Sequence, residues 1–68
     1  MTGKIVQVSG PVVDVVFDSD TLPPIREALS VDNNGKKCIM EVASHQGNHV
    51  VRCIMLSASE GLHRDMEV

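Results

Sequence analysis

His45 and His49 stand four residues apart, a spacing that on a helix would place two imidazoles on one face as metal ligands. Between them Gln46-Gly47-Asn48 reads as a turn, so the spacing loses that meaning. The plainer reading is a pair of solvated loop histidines. His63 is isolated and reads the same way. Cys38 and Cys53 are too few for a zinc site without histidine help, and they read as buried free thiols packing as small hydrophobes. Asp14, Glu27, Asp32 and Glu41 could supply carboxylates for acid–base work, but that chemistry needs a cleft and shifted pKa values. Asp32 and Glu41 are already expected to face Lys37 and Arg52.

The glycines at 3, 10, 35, 47 and 61 do not fit Gly-x-x-x-x-Gly-Lys-Ser/Thr, the spacing whose backbone amides wrap phosphates. Gly10 is followed by Pro11, which has no amide hydrogen to offer. Leu22-Pro23-Pro24-Ile25 could serve as a proline-rich ligand, but it reads more simply as a stiff connection between strands. The expectation is therefore a chain with no catalytic, cofactor-binding or metal site of its own.

Composition narrows the class further. With 68 residues the chain is one domain, 1–68, and a chain near this size buries only roughly 60% of its unfolded surface. Phe17 is the one aromatic residue, so Val, Ile, Leu and Met must fill the core. The net charge of −3, the scattered cations and the absence of Trp and Tyr argue against a nucleic-acid partner. The longest apolar run, 12–17, is broken by Asp14 and cannot span a bilayer as a helix. The opening has neither the pattern of a signal peptide nor that of a transit segment, which leads to the expectation of a soluble chain made in a reducing cytoplasm.

Elements must position these residues, and the apolar period is near two. Six short runs are separated by breaks rich in Gly, Pro, Asn, Asp and Ser: 4–8, 12–17, 25–31, 37–43, 49–56 and 62–68. The expected fold is all-β, a small closed six-stranded antiparallel β-barrel, because closure removes exposed edges. A turn at Asn34-Gly35 puts Val31 opposite Cys38, Leu29 opposite Met40 and Asp32 opposite Lys37. A second turn through 45–48, with Glu41 opposite Arg52, puts Met40 opposite Cys53 and Val42 opposite Val51. In that register the two cysteines are diagonal neighbours. Both hairpins place Cys38 and Met40 inward, with Leu29, Val31, Val42, Val51, Cys53, Met55, Val13, Val15 and Phe17. Val50, Ile54 and Leu56 then point outward beside Arg52, with Ile39 expected next to Ile54. That is more apolar surface than a free domain needs, and these three residues are the candidate subunit interface.

The run Gly3-Lys4-Ile5-Val6-Gln7-Val8-Ser9-Gly10-Pro11-Val12-Val13-Asp14-Val15-Val16-Phe17 closely resembles the opening of the β subunits of F-type ATP synthases. The resemblance continues through Leu22-Pro23-Pro24-Ile25, Glu27-Ala28-Leu29, Glu41-Val42-Ala43, Val50-Val51-Arg52-Cys53-Ile54 and Gly61-Leu62-His63-Arg64, in order and over nearly the whole chain. Asp65 departs from it, where the family usually has Gly. The resemblance implies a six-stranded N-terminal barrel in the crown of a hexameric ring, flanked by α subunits. It implies that Mg-ATP or Mg-ADP binds only in the nucleotide-binding domain, which with the C-terminal domain is absent from this chain. It also implies a proton-transporting ATPase, peripheral on the cytoplasmic side of an energy-transducing membrane, in which this barrel does no chemistry and does not enter the bilayer. The competing expectation is a free-standing small β-barrel binding module.

Overall fold

A computed structural model describes residues 3–33, 35–56, 61–62, 64 and 66–68. Five strands follow one another: β1 (Gly3–Ser9), β2 (Val12–Phe17), β3 (Ala28–Asn33), β4 (Lys36–Gly47) and β5 (Val50–Met55). They form one antiparallel sheet in the order β1-β2-β5-β4-β3, curled into a half-barrel.

The closed six-stranded barrel is thus corrected to five strands and an open curl. Among its described residues, the run 62–68 makes a short bridge, Lys4 opposite Glu67, and no strand. The Ile5 N–H donates to the Met66 carbonyl and the Val68 N–H to the Gly3 carbonyl, each at 2.9 Å. Alternation fails in this run: Leu62 is buried and Met66 and Val68 are half-buried, but Arg64 stands exposed in the same phase. A strand whose inner face is interrupted by a guanidinium cannot continue the core. The run 25–31 is shortened for a different reason. The Glu27 N–H donates to the Pro24 carbonyl at 3.1 Å and Arg26 has φ +80°, so 24–27 is a turn of type II character; its last two residues already bond to the Val42 backbone, and the regular strand β3 begins at Ala28.

Hairpin chemistry follows residue type. Ser9 pairs with Val12 across Gly10-Pro11, and the positive φ falls on the first central residue, as in a type II′ turn. Asn33 pairs with Lys36, which leaves positions 34 and 35 as the loop; Asn34 itself lies outside the described residues. Gly35 has φ +87°, and its N–H donates to Asp32 Oδ1 at 2.8 Å. The β3–β4 register agrees with expectation: Leu29 faces Met40, Val31 faces Cys38, and Asp32 faces Lys37.

The β4–β5 register does not. β4 continues through 44–47, and the turn is Asn48-His49, both at positive φ. Two bulges, between Val42 and Ser44 and between His45 and Gly47, each absorb one residue of β4. The turn therefore lies two residues later than expected, which alone would shift the cross-strand partners by four, and the two bulges recover two of these. Met40 faces Met55, Val42 faces Cys53, Glu41 faces Ile54 and Ser44 faces Arg52. The net slip is two residues, one full pleat, so every side chain between Cys38 and Val42 keeps its face.

The concave side holds the core: Ile5, Val13, Val15, Phe17, Val31, Cys38, Met40, Val42, Val51, Cys53, Met55 and Leu62. Leu29 is only half-buried and packs at its margin. Leu62 comes from outside the strands and is buried with this core. Gly3 is held close against the core; a Cβ there would lie 2.7 Å from both Phe17 Cε1 and Val15 Cγ1.

Candidate functional site

The residues singled out for chemistry are not brought together. His45 lies on β4, and its Nε2 donates to the Pro23 carbonyl at 2.8 Å. Since a carbonyl only accepts, this nitrogen carries the proton. His49 sits in the turn, with Nε2 3.2 Å from Asp20 Oδ1. Both histidines thus fasten the 18–24 connection to the β4–β5 hairpin; neither is a free loop residue. His63 lies outside the described residues. Among the described residues, no group of three or more His, Cys, Asp and Glu side chains could hold a metal ion. Likewise no helix among them is long and apolar enough to cross a membrane.

Cys38 and Cys53 are free and buried. They are not diagonal neighbours, because Cys53 faces Val42, four residues from Cys38 along β4. At a strand rise of about 3.3 Å per residue the separation is about 13 Å, well beyond disulfide reach. Burial, and then the charge of Asp14, pushes the Cys53 thiol up to about 11 from 9.0. Thiolates are the reactive form, so Ellman's reagent at pH 8 is expected to find neither cysteine until the chain is unfolded. The linkage has a definite sign. Below pH 9 the thiol is protonated in both states and contributes no slope; from pH 9 to about 11 the unfolded chain loses its proton first, so stability falls. Comparing the alkaline denaturation slopes of the wild type and Cys53→Ala tests this: the variant should be flatter.

The carboxylates have structural tasks. Asp32 accepts from the Gly35 amide, as above. Glu41 was expected to pair with Arg52, but the bulged register takes it to Ile54 instead. Arg52 goes to Asp14, directly opposite on β2. The guanidinium donates side-on, Nε to Oδ1 at 2.9 Å and Nη2 to Oδ2 at 3.1 Å. The hydrogen bond to Asp14 and then its charge raise the Arg52 pKa above its ordinary value. A shallow groove of about 330 Å³ beside Lys4, Val16, Phe17 and Asp18 offers one ammonium and one carboxylate at its rim and no convergent set of reactive groups.

What remains is a surface. On β5, Val51, Cys53 and Met55 are buried in the curl, so Val50, Arg52 and Ile54 alternate onto the convex side. Val50 faces Val16, and Ile54 lies between Val12 and Glu41. Ile54 is 38% exposed and Leu56, just past the strand, is 63% exposed. Ile39 is not beside Ile54 as expected; its carbonyl accepts the Leu56 N–H at 2.9 Å. At the centre of these apolar side chains stands the Asp14–Arg52 pair. The Asp14 side chain is only 10% exposed although it faces outward, and that of Arg52 is 44% exposed. Sequence reasoning weighed Asp14 only as an acid–base group and gave Arg52 the wrong partner. The available signal was one charged residue at the centre of each of two apolar strands, Val-Val-Asp-Val-Val and Val-Val-Arg-Cys-Ile, with opposite charges in the same outward phase.

The family model described as ATP synthase alpha/beta family, beta-barrel domain, matches residues 5–68.

Proposed function

Because the chain belongs to the ATP synthase alpha/beta family, as its β-barrel domain, we propose that it is the N-terminal barrel of a β subunit of an F-type ATP synthase and acts there as a structural and assembly element. The resemblance of Gly3–Phe17 and of Val50–Ile54 to β subunits supports that finer assignment. In this reading α subunits flank the barrel in the hexameric ring, and the barrel holds the ring while catalytic domains open and close. Mg-ATP or Mg-ADP belongs to the nucleotide-binding domain of the full-length subunit, which couples ATP synthesis and hydrolysis to proton transport. The assembly is peripheral, on the cytoplasmic side of an energy-transducing membrane. Motion in the catalytic domains requires a fixed frame, and a hydrogen-bonded curled sheet is stiff enough to provide one.

The observation that carries the reading is the convex face of β2 and β5, where Val50, Ile54 and Leu56 surround a half-covered ion pair. Ile54→Asp in the full-length subunit is expected to weaken hexamer formation at least tenfold, followed by size-exclusion chromatography over a concentration series. In the 68-residue chain the same change should cost no more than about 1 kcal/mol, because the side chain is already partly in water. Equal assembly by mutant and wild type would remove this face as an interface.

A further inference from the structure

β3 ends the sheet, and among the described residues no strand pairs with its outer side. The opposite edge, β1, is bonded at its start to 66–68. The Val42 N–H donates to the Glu27 carbonyl at 2.9 Å, so alternation along the ladder turns the backbones of Leu29 and Val31 toward β4. The N–H and C=O groups of Ala28, Ser30 and Asp32 therefore point to the open edge. Such an edge pairs with another chain unless Lys, Pro, a bulge or a cover prevents it. Ala28–Asn33 contains no Lys and no Pro, and its ladder with β4 has no bulge.

The strand is also complementary to itself. Two copies set antiparallel about a twofold axis through Ser30 bring Ser30 opposite Ser30 and Ala28 opposite Asp32, and every outward N–H meets a carbonyl. Sliding by two residues loses part of that set, because the Arg26 N–H is already given to the Val42 carbonyl. Sliding by one sets outward backbones against inward ones. In the full register no like charges face each other. Each Asp32 meets an alanine, and the two Asp32 carboxylates stand about 13 Å apart along the strands. On the concave side Leu29, half-buried at the margin of the core, comes to lie against Val31 of the second copy.

We propose that β3 is a docking edge for a second copy of this chain, and that the two join as a twofold dimer with one sheet running through both β3 strands. The proposal is independent of the ring reading, which concerns the convex face of β2 and β5. A contact this short buries less than a standard interface, so the dimer forms at high protein concentration. Each copy carries a net charge of −3, so added salt should tighten it.

Sedimentation equilibrium of the 68-residue chain is expected to show dimer at concentrations up to about 1 mM in high salt. Ser30→Lys and Ala28→Lys change the net charge equally, and both replace exposed side chains. Ser30→Lys sets two ammonium groups face to face on the axis and should weaken the dimer at least tenfold. Ala28→Lys sets an ammonium between Asp32 of the second copy and Glu41 of its own, and should associate at least as tightly as wild type. Equal effects of the two variants would overturn the proposal. Amide exchange of the wild type gives a second reading that holds even if a variant fails to fold: Ser30 and Asp32 should be protected in concentrated solution and unprotected in dilute solution. Protection in dilute solution would mean that the chain covers its own edge, and would overturn the proposal. So would a monomer that persists at about 1 mM in high salt, or a dimer whose Ser30 amide stays unprotected, which would place the contact on another face.

Discussion

Val15→Asp should leave the chain unfolded, while Val16→Asp, one residue away, should leave it folded. Val15 is fully buried on the concave side of β2, packed between Ile5 on β1 and Val51 on β5. A carboxylate there has no partner inside the curl, and burying it costs several kcal/mol whether it ionises or not. The core of a domain this small supplies roughly 3–5 kcal/mol of net stability, so the substitution removes all of it. Val16 is half-buried on the convex side and faces Lys4 across β1. A carboxylate there meets water and an ammonium, and the expected change is about 1 kcal/mol or less. Far-UV circular dichroism and amide chemical-shift dispersion of the two variants decide the matter; a folded Val15→Asp would mean the sheet is not curled around this side chain.

Phe17→Ala is expected to destabilise the chain by about 3–5 kcal/mol, near the limit of what it can lose. Phe17 is the one aromatic residue, is 3% exposed, and anchors the end of β2 through its N–H, which donates to the His49 carbonyl at 2.9 Å. Its ring fills the space that Gly3 leaves by having no side chain. Removing the ring opens a void on a strand whose neighbours are hydrogen-bonded in place and cannot collapse into it. Phe17→Leu, which keeps more of the volume, should cost distinctly less. Urea titrations of the three proteins give the comparison. A midpoint for Phe17→Ala within error of wild type would show that the ring is peripheral to the core.

Much of the architecture was legible because alternation is a strong code. The inward set around Cys38 and Met40 was readable from two hairpins that had to agree, and Asn33-Asn34-Gly35 leaves little choice of turn. The second hairpin was misread because a β-bulge leaves no composition signal: Ala43 and Gln46 are ordinary residues, and only the three-dimensional pairing shows that β4 carries extra length. The error kept the faces and changed the partners, which is why the core was found and the Arg52 pair was missed. Closure was misjudged because a short run with three apolar residues in phase looks like a strand until Arg64 is seen to share that phase. The convex patch was visible as excess hydrophobicity on β5. The buried state of Asp14 was not, since it depends on which residues β1 and β5 place beside it.

The bridge between Gly3 and Val68 bears on how tension would travel through the molecule. There 66–68 lie antiparallel to the start of β1, joined to it by a pair of hydrogen bonds. A pull applied through both ends would open those bonds one after another, as in peeling tape, and the force needed would be small. A pull applied across the middle strands would have to shear many bonds at once. The corner is therefore the weak point of the fold under load, and the ladder between β2 and β5 its strong one.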